Sequence, residues 1–119
     1  MKKILVVEDN EKNMYMISFI IEKMGHKVIQ ARTGEEGVDV AVRERPDLIL
    51  MDIQLPGIDG LETSRLIRDH DAGIEAPIIA VTSFAMAGDR ERLLAAGCSG
   101  YIEKPINPDT IMGEISAFL

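Results

Sequence analysis

The stretch Ile4–Asp9, which reads ILVVED, places four consecutive aliphatic residues directly before two carboxylates. Unbroken aliphatic runs of this length are typical of parallel strands that are buried on both faces. Comparable runs that lead into polar residues recur further along the chain, as LILMD at Leu48–Asp52, IIAVTS at Ile78–Ser83 and GYIEKP at Gly100–Pro105. Since sites in open parallel sheets lie beyond the carboxyl ends of the strands, we expect these polar residues to share one crevice.

Helix-like stretches follow the apolar runs, and this alternation predicts an α/β fold with a parallel sheet. A short apolar pair, Val28-Ile29, predicts an additional edge strand. Asn10, Thr33 and Asn107 are suited to N-cap positions. We expect helices over about Asn10–Met24, Thr33–Glu44, a stretch ending near His70, Ala85–Ala96, and a stretch that begins at Asn107-Pro108. Right-handed crossovers then favour a doubly wound five-stranded parallel sheet, flavodoxin-like, with strand order 2-1-3-4-5 and five helices.

The composition limits the classes of function. A chain of 119 residues suits one domain over residues 1–119. A net charge of −7 without a Lys/Arg cluster argues against a nucleic-acid surface and against a polybasic membrane anchor. The apolar runs are too short to span a membrane, and a strand close to the N-terminus argues against a signal peptide. Cys98 has no second cysteine to pair with, so we expect it to pack in the core of a cytoplasmic protein.

Glu8, Asp9 and Asp52 form a candidate metal site. Adjacent residues of a strand point to opposite faces, so Glu8 and Asp9 can reach one ion only if the strand has already ended. Carboxylate oxygens together with water suit Mg²⁺. The alternative is that Glu8 and Asp9 are solvated loop acids that cap the first helix. Beside a metal, Asp52 can act as a nucleophile toward phosphorus and give an aspartyl-phosphate.

Thr82, Lys104 and Tyr101 are candidates for contacts around such a phosphoryl group. A threonine hydroxyl can donate to a phosphoryl oxygen, and an ammonium can pair with the same group. Lys104 precedes Pro105, and X-Pro bonds are the common position for a cis peptide. Tyr101, near the end of an edge strand, can move between buried and exposed positions or can simply pack in the core.

With these residues in order, the chain from Lys2 to Leu119 resembles a response-regulator receiver domain of two-component signalling. The motifs that carry the resemblance are VVEDN at 6–10, LMDIQLPGIDG at 50–60, AVTS at 80–83 and YIEKP at 101–105. Segments 51–61 and 84–105 are more narrowly similar to a stand-alone cell-division receiver. Receivers inside hybrid kinases share these segments, so a module of a hybrid kinase or phosphorelay is the alternative context.

The resemblance implies a role for each candidate residue. Asp52 would be the phosphoacceptor. Asp9, Asp52 and the backbone carbonyl of Gln54 would hold Mg²⁺, with Glu8 reaching the ion through water. Thr82 and Lys104 would bind the phosphoryl group, and Thr82 and Tyr101 would form the switch. Many members carry Asp where this chain has Glu8, which affects only the details of the metal site.

The resemblance also implies a phosphorylation switch instead of an enzyme that acts on a separate metabolite. The donor would be a phosphohistidine on a sensor histidine kinase or a histidine phosphotransfer protein. A downstream protein would bind the face made by the fourth helix, fifth strand and fifth helix. We expect the chain to be a monomer or a weak dimer.

Two other functions on related folds fit the residues less well. A phosphatase with an aspartyl nucleophile would carry a second acid two residues after Asp52, where this chain has Gln54. A flavin electron carrier would need a loop rich in hydroxyls and glycine after the first strand to bind phosphate through backbone N–H groups. Glu8 and Asp9 occupy that loop and would repel phosphate instead.

Overall fold

A computed structural model describes residues 1–70, 74–83 and 88–119. The strands form one parallel five-stranded sheet of order β2-β1-β3-β4-β5, as the sequence predicted. The strands are β1 (Lys3–Val7), β2 (Lys27–Ala31), β3 (Leu48–Asp52), β4 (Ile78–Thr82) and β5 (Gly100–Glu103). Every residue of β3 and β4 is buried, which explains their unbroken apolar runs.

The helices follow the strands in the expected order. They are α1 (Glu11–Lys23), α2 (Gly34–Glu44), α3 (Gly60–His70), α4 (Asp89–Ala95) and α5 (Pro108–Ser116). Each predicted N-cap is confirmed, because the side chains of Asn10, Thr33 and Asn107 accept hydrogen bonds from backbone N–H groups in the first turns of α1, α2 and α5. The predicted start of the fourth helix at Ala85 lies outside the described residues.

Helices cover both faces of the sheet. The core on one face includes residues of α1 and α5, among them Met14, Ile17 and Ile111. The core on the other face includes residues of α2, α3 and α4, among them Val40 and Ile67. Cys98 is buried in this second core, as predicted. Among the described residues, no helix is long and apolar enough to cross a membrane.

The two layers leave the carboxyl edge of the sheet between them. Val7 is opposite Met51 across the β1–β3 pair, and Asp52 is opposite Val81 across the β3–β4 pair. The residues that follow β1 and those at the ends of β3 and β4 are therefore neighbours in space. This register places the predicted polar residues at one edge.

Candidate functional site

Glu8, Asp9 and Asp52 come together at the carboxyl edge of the sheet. The strand β1 ends at Val7, so Glu8 and Asp9 lie beyond it, and Asp52 is the last residue of β3. One carboxylate oxygen of each of the three acids lies within 4.8 Å of those of the other two. Glu8 is only 1% exposed, which contradicts the alternative that both Glu8 and Asp9 are solvated loop acids.

Glu8 is a buried carboxyl group with incomplete hydrogen bonding. Its Oε2 accepts a hydrogen bond of 3.2 Å from the Asn10 amide. Its Oε1 is buried and accepts no hydrogen bond from any residue that the structure describes, although Lys104 Nζ is 3.9 Å away. Burial and the adjacent Asp52 carboxylate raise the pKa of Glu8 to about 7, and the Asn10 amide and Lys104 only partly offset this.

Asp52 accepts two hydrogen bonds from described residues at one of its carboxylate oxygens. Oδ1 accepts hydrogen bonds from Lys104 Nζ at 3.0 Å and from the Gln54 amide at 3.1 Å. The Lys104-Pro105 peptide bond is cis, and the Lys104 amide donates to the Thr82 carbonyl at 2.8 Å. Because both donors reach Oδ1, the other oxygen, Oδ2, takes part in neither bond.

Gly60 determines how closely α3 approaches Asp52. A Cβ atom at Gly60 would lie 2.2 Å from the Asp52 carbonyl oxygen and 2.7 Å from the Ile53 Cα, distances that real contacts do not reach. The Gly60 amide donates to the Ile53 carbonyl at 3.0 Å. In the sequence, Gly60 was identified only as the last residue of the motif LMDIQLPGIDG, and the Asp59-Gly60 pair in that motif was the available signal.

Thr82 and Tyr101 lie in different surroundings. Thr82 is 2% exposed and lines a cavity of about 300 Å³ together with Ile53, Leu61 and the Asp89–Arg92 ion pair. Tyr101 is 37% exposed and lines a second cavity, of about 220 Å³, between α4 and β5. Simple core packing of Tyr101, the alternative in the sequence interpretation, is therefore wrong.

The acidic residues fit a hard divalent cation. Three carboxylates converge, whereas Lys104 is the cation that the structure pairs with Asp52 and Glu8. The buried Glu8 Oε1 lacks a hydrogen-bond donor within the described ranges, and a cation or a metal-bound water would satisfy it. Oxygen atoms around Mg²⁺ stand roughly 2.1 Å from the ion, so a cluster of this width suits direct and water-mediated ligands together.

Comparison with known sequences agrees with this geometry. A family model described as the response regulator receiver domain matches residues 4–116. The chain is 47% identical over 118 residues to the polar-differentiation response regulator DivK of Brucella anthropi, covering 99% of this chain and 96% of that protein. The DivK of Brucella ovis is 45% identical over the same shares of both chains.

Comparison with solved structures gives the same result. The chemotaxis protein CheY4 of Vibrio cholerae has a TM-score of 0.94 at 28% identity, covering 100% of this chain and 99% of that one. The receiver domain of the sensor histidine kinase PA1611 of Pseudomonas aeruginosa has a TM-score of 0.88 at 38% identity, covering 98% and 96%. That receiver holds a magnesium ion in its active-site cleft.

Proposed function

The chain belongs to the response regulator receiver family, and from this premise we propose that Asp52 accepts a phosphoryl group in a Mg²⁺-dependent reaction. The donor is a phosphohistidine on a sensor histidine kinase or a histidine phosphotransfer protein. The observation that carries the proposal is the arrangement of the Asp52 carboxylate, which is buried, adjoins two other acids and accepts two hydrogen bonds at Oδ1.

Asp52 has the geometry that a positioned nucleophile needs. Lys104 and the Gln54 amide both donate to Oδ1, which leaves Oδ2 as the atom that we expect to attack phosphorus. An Oδ2–P bond forms while the P–N bond of the phosphohistidine breaks, and the imidazole leaves with the electron pair of that bond and takes up a proton. The product is an aspartyl-phosphate.

The neighbouring residues supply charge and hydrogen bonds to the transferred group. Lys104 Nζ lies close enough to pair with a phosphoryl oxygen after transfer, and the Thr82 hydroxyl is at the end of the adjacent strand. Glu8, Asp9, Asp52 and the Gln54 carbonyl are the residues that would hold Mg²⁺, with Glu8 acting through water. Bound there, the ion would neutralise charge on the transferring phosphoryl oxygens.

We propose that phosphorylation changes the face made by α4, β5 and α5. The Lys104 amide is bonded to the Thr82 carbonyl, so movement of Lys104 toward a phosphoryl group is coupled to the end of β4. Tyr101 is half-exposed beside a cavity on this face, and Leu94, which lines the same cavity, is exposed as well. A charge change that moves such an element between two packings is a receiver-type switch.

The first experiment is phosphorylation by a small phosphodonor, acetyl phosphate, with the product measured as mass added to the intact protein. We expect wild type to gain one phosphoryl group with Mg²⁺ and none in chelator. Asp52→Asn should gain none under either condition, because a neutral carboxamide is a far weaker nucleophile toward phosphorus than a carboxylate. Asp59→Asn is the matched control, an exposed aspartate in the same loop, and should behave as wild type. Phosphorylation of Asp52→Asn would overturn the assignment.

The second experiment tests Lys104 and Thr82 as separate parts of the switch. Lys104→Arg keeps the charge but changes its shape, so we expect transfer to persist while the structural response to beryllofluoride, a phosphoryl mimic, is impaired. Thr82→Ala should likewise keep partial transfer and lose much of the response. The response is measured as the change in amide chemical shifts of β5 and α5. A wild-type response in Lys104→Arg would contradict the geometric role.

Partners are identified by transfer. A panel of histidine kinases and phosphotransfer proteins from the same genome is labelled and mixed with the chain, and the initial rates of transfer are compared. We expect one donor to transfer faster than the rest. Fast transfer from a phosphotransfer protein, together with fast return of the phosphoryl group to it, would favour a phosphorelay module as the context.

A further inference from the structure

The outer face of α1 carries an exposed and ordered aromatic pair. Tyr15 is 74% exposed and Phe19 is 52% exposed. Their rings are stacked with centroids 6.4 Å apart and planes at 17°, and Lys23 Nζ lies 5.4 Å from the Phe19 centroid. The stacking and the cation hold both rings in place without burying them, so contact with another surface would cost little side-chain entropy.

The inner side of α1 is occupied by contacts within the chain. Met14, Ile17 and Ile21 are buried against the sheet. On the side of β2, the Ser18 hydroxyl accepts a hydrogen bond of 3.0 Å from the Gln30 side chain. The aromatic pair faces away from these contacts, and in the described part of the chain its ring contacts are with each other and with Lys23. Contiguous exposed apolar surface of this kind marks interaction sites.

The ridge that contains the pair is complementary to itself. Glu11, Tyr15, Phe19 and Lys23 are spaced by four residues, so they form one ridge of the helix, read as acid, aromatic, aromatic, base. When two such ridges lie antiparallel, Glu11 of each copy lies beside Lys23 of the other, and Tyr15 lies beside Phe19. A parallel arrangement would instead place Glu11 beside Glu11 and Lys23 beside Lys23.

We propose that this α1 ridge is the contact between two copies of this chain, with the two α1 helices antiparallel and related by a two-fold axis. In such an isologous contact, residue i meets residue j and residue j meets residue i, which the order of the ridge satisfies. The antiparallel arrangement also brings the acidic first turn of each helix to the basic last turn of the other.

Glu11 can take part in this contact while keeping its bond within the chain. Its two carboxylate oxygens pair with Arg32 of the same chain. A carboxylate has about four acceptor positions, and Arg32 uses only part of them, so Lys23 of the second copy has positions left to bind. The contact would then be a three-charge cluster at each end of the aromatic centre.

The size of the ridge predicts a weak dimer. One helix face buries less than the roughly 1,000 Å² of a stable interface, so we expect a dissociation constant on the order of 0.1 mM.

Sedimentation equilibrium between about 10 µM and 1 mM covers this range. Wild type should dimerise reversibly, and Tyr15→Ser/Phe19→Ser should weaken association by at least about tenfold, as expected for central aromatic residues. Met112→Ser, an exposed apolar residue on α5, is the control and should dimerise as wild type.

Cross-linking tests the orientation of the two helices. Cys98 is the only cysteine and is buried, so Glu11→Cys and Lys23→Cys each add a single exposed thiol. With diamide as the oxidant, an equal mixture of the two variants should form the mixed 11–23 disulfide faster than either variant forms its own. In the antiparallel contact, two copies of position 11 are about 18 Å apart, since twelve residues separate the ends of the ridge.

Three results would overturn the proposal. The first is a wild type that stays monomeric at about 1 mM. The second is a dimer that Met112→Ser weakens and Tyr15→Ser/Phe19→Ser does not, because that dimer would use the face of α5. The third is self-disulfides of Glu11→Cys that exceed the mixed product. If monomeric wild type loses phosphotransfer on Tyr15→Ser/Phe19→Ser, the ridge binds the donor protein instead of a second copy.

Discussion

Two regions of the molecule differ from what their residue types predict about exposure to solvent. They are the acidic site, formed by Glu8, Asp9 and Asp52, and the outer ridge of α1. At the acidic site, Glu8 and Asp52 are at most 2% exposed, although carboxylates belong in water. On the ridge, Tyr15 and Phe19 are more than half exposed, although aromatic rings belong in the core. The regions are adjacent in sequence, since α1 begins three residues after Glu8.

From these departures from ordinary burial we expect a binding partner at each of the two regions. Buried carboxylates lose solvation free energy, and close like charges lose more, so a cation is the natural complement of the acidic site. Exposed aromatic rings cost the folded chain little but keep apolar surface in contact with water, so a second protein surface is the complement of the ridge. Each region therefore predicts a different sensitivity to substitution.

The largest effect should come from adding a methyl group at the backbone of the acidic site. Gly60→Ala places Cβ against the Asp52 carbonyl, so α3 or the loop between β3 and α3 must move. We expect the free energy of unfolding to fall by about 2 to 3 kcal/mol, measured by urea titration. Gly113→Ala is the control, because nothing lies within 4 Å of its Cβ, and it should be neutral or slightly stabilising. Equal losses of stability in Gly60→Ala and Gly113→Ala would contradict the conclusion that the close approach of α3 to Asp52 requires a glycine at position 60.

The second-largest effect should be a dependence of folding stability on pH that arises from Glu8. Its folded pKa of about 7 lies above the ordinary value of 4.5. The stabilisation from the protonated form is therefore fully present below pH 4.5 and is lost as pH rises through about 7. In chelator, wild type should lose on the order of 2 kcal/mol across this window relative to Glu8→Gln. Parallel stability curves for the two proteins would contradict the burial of an ionisable Glu8.

A smaller effect is expected when one charge is removed from the acidic site. In chelator, Asp52→Asn should melt at a higher temperature than wild type, because the repulsion between Asp52 and Glu8 is relieved. We expect the free energy of unfolding to rise by about 1 kcal/mol. The same variant should gain less stability from added Mg²⁺, since stabilisation by a ligand follows its affinity. Melting curves in chelator and in excess Mg²⁺ measure both. A less stable variant with an undiminished gain from Mg²⁺ would argue against a clustered-carboxylate pocket.

The smallest effect on stability should come from substitutions on the α1 ridge. At micromolar concentration, where the proposed dimer is dissociated, Tyr15→Ser/Phe19→Ser should change the free energy of unfolding by less than about 0.5 kcal/mol. The reason is that both rings are exposed and their loss leaves no cavity. Thermal unfolding at low concentration measures this. A large loss of stability would mean that Tyr15 and Phe19 stabilise the fold of the single chain, which would contradict the prediction.

The sequence indicated features that depend on short stretches of chain. The N-caps at Asn10, Thr33 and Asn107 involve bonds to residues two or three positions away, so their spacing is visible in the sequence. The aliphatic runs indicated buried strands, and the rule that parallel crossovers are right-handed limited the possible topologies. The meeting of Glu8, Asp9 and Asp52 followed from these two inferences, because strand ends on one edge must be close.

Only the tertiary structure decided the features that depend on which side chains approach from distant parts of the chain. The depth at which Glu8 lies, and hence its raised pKa, results from packing around β1. The contact of Gly60 with the Asp52 carbonyl depends on the angle at which α3 meets β3. The exposure of Tyr15 and Phe19 depends on which face of α1 meets the sheet, and helical spacing alone does not separate an apolar residue at the core from one beside it. Periodicity in a sequence indicates which element forms, whereas burial is a sum over neighbours that are far apart in the chain.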